Sequence, residues 1–185
     1  MKIKKHPTVA TAVVVGAAAA LLVACQSIAA PARPPLALAP SIDVKRFMGD
    51  WFVIANIPTR LEKGAHNAKE TYKLDADGTI ATTFGFRADS FDGPERSYTA
   101  RGFVVGGNNA IWGMQFIWPV KADYRIAYVS EGYGITVVAR EKRDYVWIMA
   151  RTPTIPQAEY ERLVAFIGQQ GYDTARIQRV PQQPR

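Results

Sequence analysis

From residue 51 onward, apolar and β-branched runs of about six to nine residues alternate with short turn-forming clusters, and this punctuation restricts the fold more than any other feature. The clusters are DADG at 75–78, ADSFDGPE at 88–95, GGNN at 106–109, SEGYG at 130–134 and EKRD at 141–144. Runs of this length bounded by Gly, Asp and Asn read as strands joined by hairpin-length turns. Strands are predicted near 51–57, 68–75, 79–87, 96–105, 110–118, 123–130, 133–140 and 145–151. No long helical pattern separates them, so the crossovers that parallel pairing needs are missing. Eight strands in an antiparallel meander either expose two edges or close on themselves, and closure removes the edges. The expected fold is all-β: an eight-stranded antiparallel up-and-down barrel, a size with room for side chains and one small ligand.

After the strands comes PQAEYERLVAFIGQQG, 156–171, with Tyr160, Leu163, Val164 and Ile167 at helical spacing. Pro156 suits a first turn and Gly171 a stop. One amphipathic helix is expected outside the barrel, which would explain why YGITVVAR and YVWIMAR are apolar on both faces. The short ARIQRV at 175–180 is a candidate final strand.

The N-terminus belongs to a different regime. Lys2, Lys4 and Lys5 precede an apolar run from Val9 to Ala24, the pattern of a secretory signal, so residues 1–24 are set apart from the fold. Leu22-Val23-Ala24-Cys25 resembles a bacterial lipobox, which implies that Cys25, the sole cysteine, is acylated and begins the mature chain. With Gln26 following, the resemblance implies outer-membrane sorting and a membrane partner reached through the lipid. Several acyl chains are needed for stable attachment, since one myristoyl-length chain binds only marginally. Residues 25–40 then form the lipidated cysteine and a Pro/Ala-rich tether, and residues 41–185 one domain. Without the three signal lysines, 20 basic residues face 16 acidic ones, about +4 and scattered, so nucleic acid is not an expected partner.

Four ordered segments resemble the lipocalins, and among them the bacterial outer-membrane lipoprotein lipocalins related to apolipoprotein D. They are DVKRFMGDWFVIANIPTRLEKG, YKLDADGTI, FIWPVKADYRI and RDYVWIMARTPTI, spanning residues 43–155. Gly49 and Trp51 match the family's first motif and Arg151 its last-strand arginine. The resemblance implies that Trp51 closes the narrow end of the barrel with Arg151 across its ring, a cation–π pair worth about 0.5–2 kcal/mol. The middle motif departs from the family: Ser130-Glu131-Gly132-Tyr133 stands where many members have Thr-Asp-Tyr, and only Tyr133 matches.

A ligand-holding interior should show large side chains at alternate positions. Trp112, Met114, Phe116 and Trp118 share one parity; Phe84 and Phe86 follow on another strand, and Tyr124, Ile126 and Tyr128 on a third. Tyr133, Ile135, Val137, Tyr145 and Trp147 are further candidates, with Arg60, Lys63, Arg87 and Arg125 as cations for a head group at the mouth. Bulk alone does not distinguish an open calyx from a filled barrel. The family resemblance implies an open calyx that binds a fatty acid or lysophospholipid. The chain is expected not to be an enzyme and to need no cofactor or metal: His66 is the one histidine after the signal, no Cys–His pair or zinc set can be assembled, and Asp75, Asp77 and Gly78 read as a hairpin turn. A lipid- or isoprenoid-directed enzyme of calycin fold and a structural envelope lipoprotein stay open as alternatives, as does a homodimer.

Overall fold

The computed structural model describes residues 33–183. The expected signal segment, Cys25 and the first half of the tether lie outside the described residues. A short helix α1 (Val44–Phe47) is followed by β1 (Gly49–Ile57), β2 (Ala65–Leu74), β3 (Ile80–Ala88), β4 (Glu95–Val105) and β5 (Ile111–Ile117). Next come β6 (Val120–Val129), β7 (Ile135–Ala139), β8 (Val146–Ala150), helix α2 (Gln157–Gln169) and a two-residue β9 (Gln178–Arg179). Each of β1 to β7 pairs antiparallel with the next, and β1 pairs with both β8 and β2, which closes the barrel. All eight expected strands are present, with bounds shifted by a few residues.

Closure is uneven along β1. Its first half, Gly49 to Phe52, pairs with β2, whereas Ala55 and Asn56 pair with β9. The C-terminal strip therefore fills the gap where β1 and β2 diverge. There the Gln182 side-chain amide donates to Val53 O at 2.8 Å and Ala68 O at 2.9 Å, joining the two strands.

Two bulges reverse the inward and outward parity that a regular strand would keep. In β1 the register shifts between Val53 and Ala55, and in β6 between Ile126 and Tyr128. Ile54 and Ala55 consequently both face outward, as do Ala127 and Tyr128. A bulge places an extra residue opposite one partner and bends the strand, and here it widens the outer surface available to α2.

Pro156 occupies the N-cap position of α2, just before the helix. Leu163 and Ile167 are buried against Ile57, Val137, Val146 and Ile148 on the outer wall. Burying a Leu or Ile side chain contributes about 1.5–3 kcal/mol, which makes this second core outside the barrel worth several such increments. Residues 34–39, expected as tether, instead lie along the wall. Pro34 O accepts from the Arg143 guanidinium at 2.7 Å, Leu36 is buried in the outer core, and Ala39 N donates to Ile126 O at 2.9 Å.

Among the described residues no helix is long and apolar enough to cross a membrane.

Candidate functional site

The two ends of the barrel differ. At the α1 end, Phe47, Trp51, Tyr72 and Trp112 are all nearly or fully buried, and the Phe47 ring centre lies 4.9 Å from that of Trp51, 5.6 Å from Tyr72 and 5.2 Å from Trp112. Trp51 Nε1 donates to Phe47 O at 2.8 Å, so its one polar atom is satisfied inside this aromatic plug. Gly49, at φ +95°, turns the chain from α1 into β1, and a Cβ there would stand 3.4 Å from an Arg151 nitrogen. The Arg151 guanidinium lies 3.8 Å from the Trp51 ring centre and donates to the carbonyls of Arg46, Phe47, Met48 and Asp50 at 2.7–3.1 Å. Tyr133 also sits here, its hydroxyl accepting from Asp43 N at 2.8 Å, with the Arg46 guanidinium 4.2 Å from its ring centre.

Above the plug is a largely apolar cavity of about 200 Å³. It opens between the β1–β2, β5–β6 and β7–β8 connections, and Leu61 and Tyr145 of the first and last and Phe116 near the end of β5 line it. Of the residues expected in the calyx, Phe84, Met114, Phe116, Tyr124, Tyr145 and Trp147 line this space. Phe86 is buried beside it, 5.2 Å from Phe84 and 6.3 Å from Tyr98 between ring centres. The others lie elsewhere. Trp112 and Ile126 are part of the plug and lower core, because they lie one pair of residues too close to α1. Tyr128 faces outward through the β6 bulge, onto Phe166 of α2. Tyr133 belongs to the closed end, and Ile135 and Val137 face α2, while Thr136 and Val138 point inward. Trp118 is 82% exposed, since the β5–β6 register shifts between Met114 and Ile117 and the hairpin tip projects beyond the barrel.

The cations are also redistributed. Arg125 pairs with Asp123 at 2.9 Å and Glu141 at 2.7 Å, and Arg87 with Glu95 at 3.5 Å. Neither lines the cavity; Arg140 does. His66 is the second residue of β2, its Nδ1 3.0 Å from Gly64 O and its ring against Phe91. No cluster of His, Cys, Asp and Glu among the described residues could hold a metal.

Two carboxylates in the cavity wall went unforeseen. Glu62 accepts from Thr59 N at 2.9 Å, Asn56 Nδ2 at 3.2 Å and Trp147 Nε1 at 3.2 Å. Burial nevertheless holds its carboxyl above the usual range. Glu70, opposite Trp51 in β1 and Phe84 in β3, is pushed up to about 8 by burial and by the nearby Glu62 charge. It is protonated at neutral pH, which removes one negative charge from a wall that also holds Glu62 and the Arg125-paired Asp123. Below it the Tyr72 and Tyr124 hydroxyls meet at 2.6 Å. The Thr82 hydroxyl is buried without a hydrogen-bond partner. Glu70 was legible in the sequence: in KETYK, 69–73, the alternation puts Lys69, Thr71 and Lys73 outside and Glu70 with Tyr72 inside.

A lipocalin-like domain family matches residues 42–182. The chain is 29% identical over 162 residues to the outer membrane lipoprotein Blc of Escherichia coli, covering 86% of this chain and 89% of the relative. It is also 29% identical over 157 residues to temperature-induced lipocalin-1 of Arabidopsis thaliana, covering 76% and 80%. Among solved structures, the cockroach allergen Per a 4 is similar with a TM-score of 0.62 at 16% identity, covering 80% of this chain and 92% of that one. Insecticyanin of the tobacco hornworm, Manduca sexta, gives 0.62 at 13% identity, covering 80% and 84%. With its closed eight-stranded barrel, outer helix and matched family model, the chain belongs to the lipocalin family, whose barrel holds hydrophobic ligands.

Proposed function

We propose that the protein is anchored by acylated Cys25 to the periplasmic face of the outer membrane and binds fatty acids or lysophospholipids, acyl chain inward, in support of membrane maintenance under stress. The observation that carries the ligand class is the cavity wall of Phe84, Met114, Phe116, Tyr98 and Trp147, open at the end opposite the aromatic plug. Each methylene removed from water there contributes about 0.8 kcal/mol. At about 200 Å³ the space is smaller than the common ligand cleft of about 300–1,000 Å³, so it takes the end of an acyl chain and leaves the head group at the rim. Arg140, which pairs with Asp144 at 3.2 Å on the cavity wall, is the cation that a phosphate or carboxylate at the mouth would meet. The similarity to an outer membrane lipoprotein supports the anchor and its location.

Native mass spectrometry of the Cys25→Ser chain, incubated with a total envelope lipid extract, tests the ligand class. Retention of one fatty acid or lysophospholipid per chain is expected. A folded protein that retains neither, with blank titrations at micromolar lipid, would refute the carrier reading. Retained, globomycin-insensitive membrane attachment of the Cys25→Ser chain would refute the anchor.

A further inference from the structure

We propose that the barrel stands mouth-down on the membrane, with the β5–β6 tip and the β1–β2 loop entering the lipid interface. The inference rests on the anchored reading above for the lipid at Cys25, but two observations outside the cavity carry the orientation.

The first is where apolar surface is exposed. Leu61, Phe91, Phe116, Ile117, Trp118 and Val120 are the large exposed apolar side chains of the mouth, and of the described residues only Val105 joins them from the other end. Ile117, Trp118 and Val120 are 76%, 82% and 68% exposed on consecutive positions interrupted only by Pro119. Single exposed apolar residues are ordinary, whereas a contiguous projecting patch marks a surface that meets something. Its chemistry favours lipid. No acidic residue occurs between Ile111 and Ala122, and Lys121 is exposed beside the tip. On the β1–β2 loop Leu61 stands between exposed Arg60 and Lys63, and Lys142 is exposed on the β7–β8 turn. Tryptophan at the headgroup level, flanked by cations whose stems lie along the acyl boundary, is the composition of interfacial anchors. The exposed acids of the mouth, Asp89, Asp92 and Glu95, are gathered at the β3–β4 connection, so contact falls on the arc of the rim that runs from β5–β6 through β7–β8 to β1–β2.

The second is the path of the chain. Pro34 is bonded to Arg143 in the β7–β8 turn at the mouth, and from there the chain runs along the wall to Ile42, which donates to Asn108 O at the closed end. Eight residue steps separate Cys25 from Arg33, a reach of at most about 28 Å. That suffices with the mouth facing the bilayer. With the closed end facing it, the same steps would have to run back along a barrel wall about as long, since a strand rises about 3.3 Å per residue. An acyl chain could then pass between bilayer and cavity without crossing open water.

The test uses the full lipidated protein in vesicles of phosphatidylethanolamine with a minority of phosphatidylglycerol, brominated at a shallow acyl position, and reads flotation and tryptophan quenching separately. Because Trp147 lines the cavity, quenching is compared with Trp118→Phe, so that the difference reports Trp118. A quenched Trp118 component, absent from Trp118→Phe, is expected. Flotation with identical quenching in the two proteins would place Trp118 in water and overturn the orientation while the anchor stands. Flotation of Cys25→Ser with Trp118 quenched would sink the anchor and keep the docking surface. Failure of the full chain to float would overturn both.

Discussion

The Arg151 guanidinium lies over Trp51, its central carbon 3.8 Å from the ring centre, and ties five carbonyls at the closed end: Arg46, Phe47, Met48, Asp50 and Tyr133. One planar fork thus joins the end of β8 to both α1 and the start of β1. Lysine has the charge without the fork. Arg151→Lys should therefore lower unfolding free energy by about 2–3 kcal/mol, given that a hydrogen bond to a charged group contributes about 1.5–3 kcal/mol. An unchanged urea midpoint would show that the fork does not hold the end closed.

Trp51 and Trp118 occupy opposite extremes of burial, 0% and 82% exposed. Trp51→Ala should cost about 3–5 kcal/mol through the void left among Phe47, Tyr72 and Trp112. Trp118→Ala should stay within about 0.5 kcal/mol of the parent, because an exposed ring gives up little packing. Equal losses in chemical denaturation would contradict the division into plug and rim.

The strand count, the outer helix and the Gly49–Trp51–Arg151 arrangement were legible because each rests on local periodicity or a motif. Inward parity was legible only up to the first bulge. Tyr124 faces the cavity and Tyr128, four residues on, faces α2, since nothing in DYRIAYV shows that the register shifts after Ile126. Depth was equally hidden: Trp112, Met114, Phe116 and Trp118 run from plug to cavity to rim to solvent along a single strand direction. Alternation says which face a side chain takes and carries no information about where along the barrel the interior ends. The C-terminal strip was foreseen only as a strand, and its role between β1 and β2 depends on a divergence that no local pattern records.

That strip makes its own prediction. Gln182 Nε2 holds Val53 O and Ala68 O, while Val180 N donates to Ile54 O at 3.0 Å and Asn67 N to Pro181 O at 2.8 Å. Gln182→Ala leaves two half-buried carbonyls unpaired, at about 1–3 kcal/mol for each group that water does not reach. Amide exchange at Val180 and Asn67 should quicken by at least tenfold while β3 to β5 hold their rates. Uniform protection across the barrel would show the strip to be passive.

Glu70 couples the cavity to pH. Its carboxyl is held at about 8 in the folded chain against an ordinary value of 4.5, so the folded state binds more protons than the unfolded one between these values. Stability contributed by the neutral form is complete below about 4.5 and is lost progressively as pH rises toward 8. Each unit of difference is worth about 1.4 kcal/mol, which makes the full loss a few kcal/mol. Glu70→Gln, neutral at every pH, should match the parent near pH 5 and exceed it near pH 8. The same charge opposes apolar ligands, since ionised Glu70 must be desolvated beside Glu62 when the cavity fills. Affinity for the uncharged probe N-phenyl-1-naphthylamine should fall as pH passes about 8, approaching tenfold per unit, and stay level in Glu70→Gln. Parallel pH profiles for the two proteins, in both stability and probe binding, would remove Glu70 from the account and leave burial of Glu62 as the remaining acidic cost in the cavity.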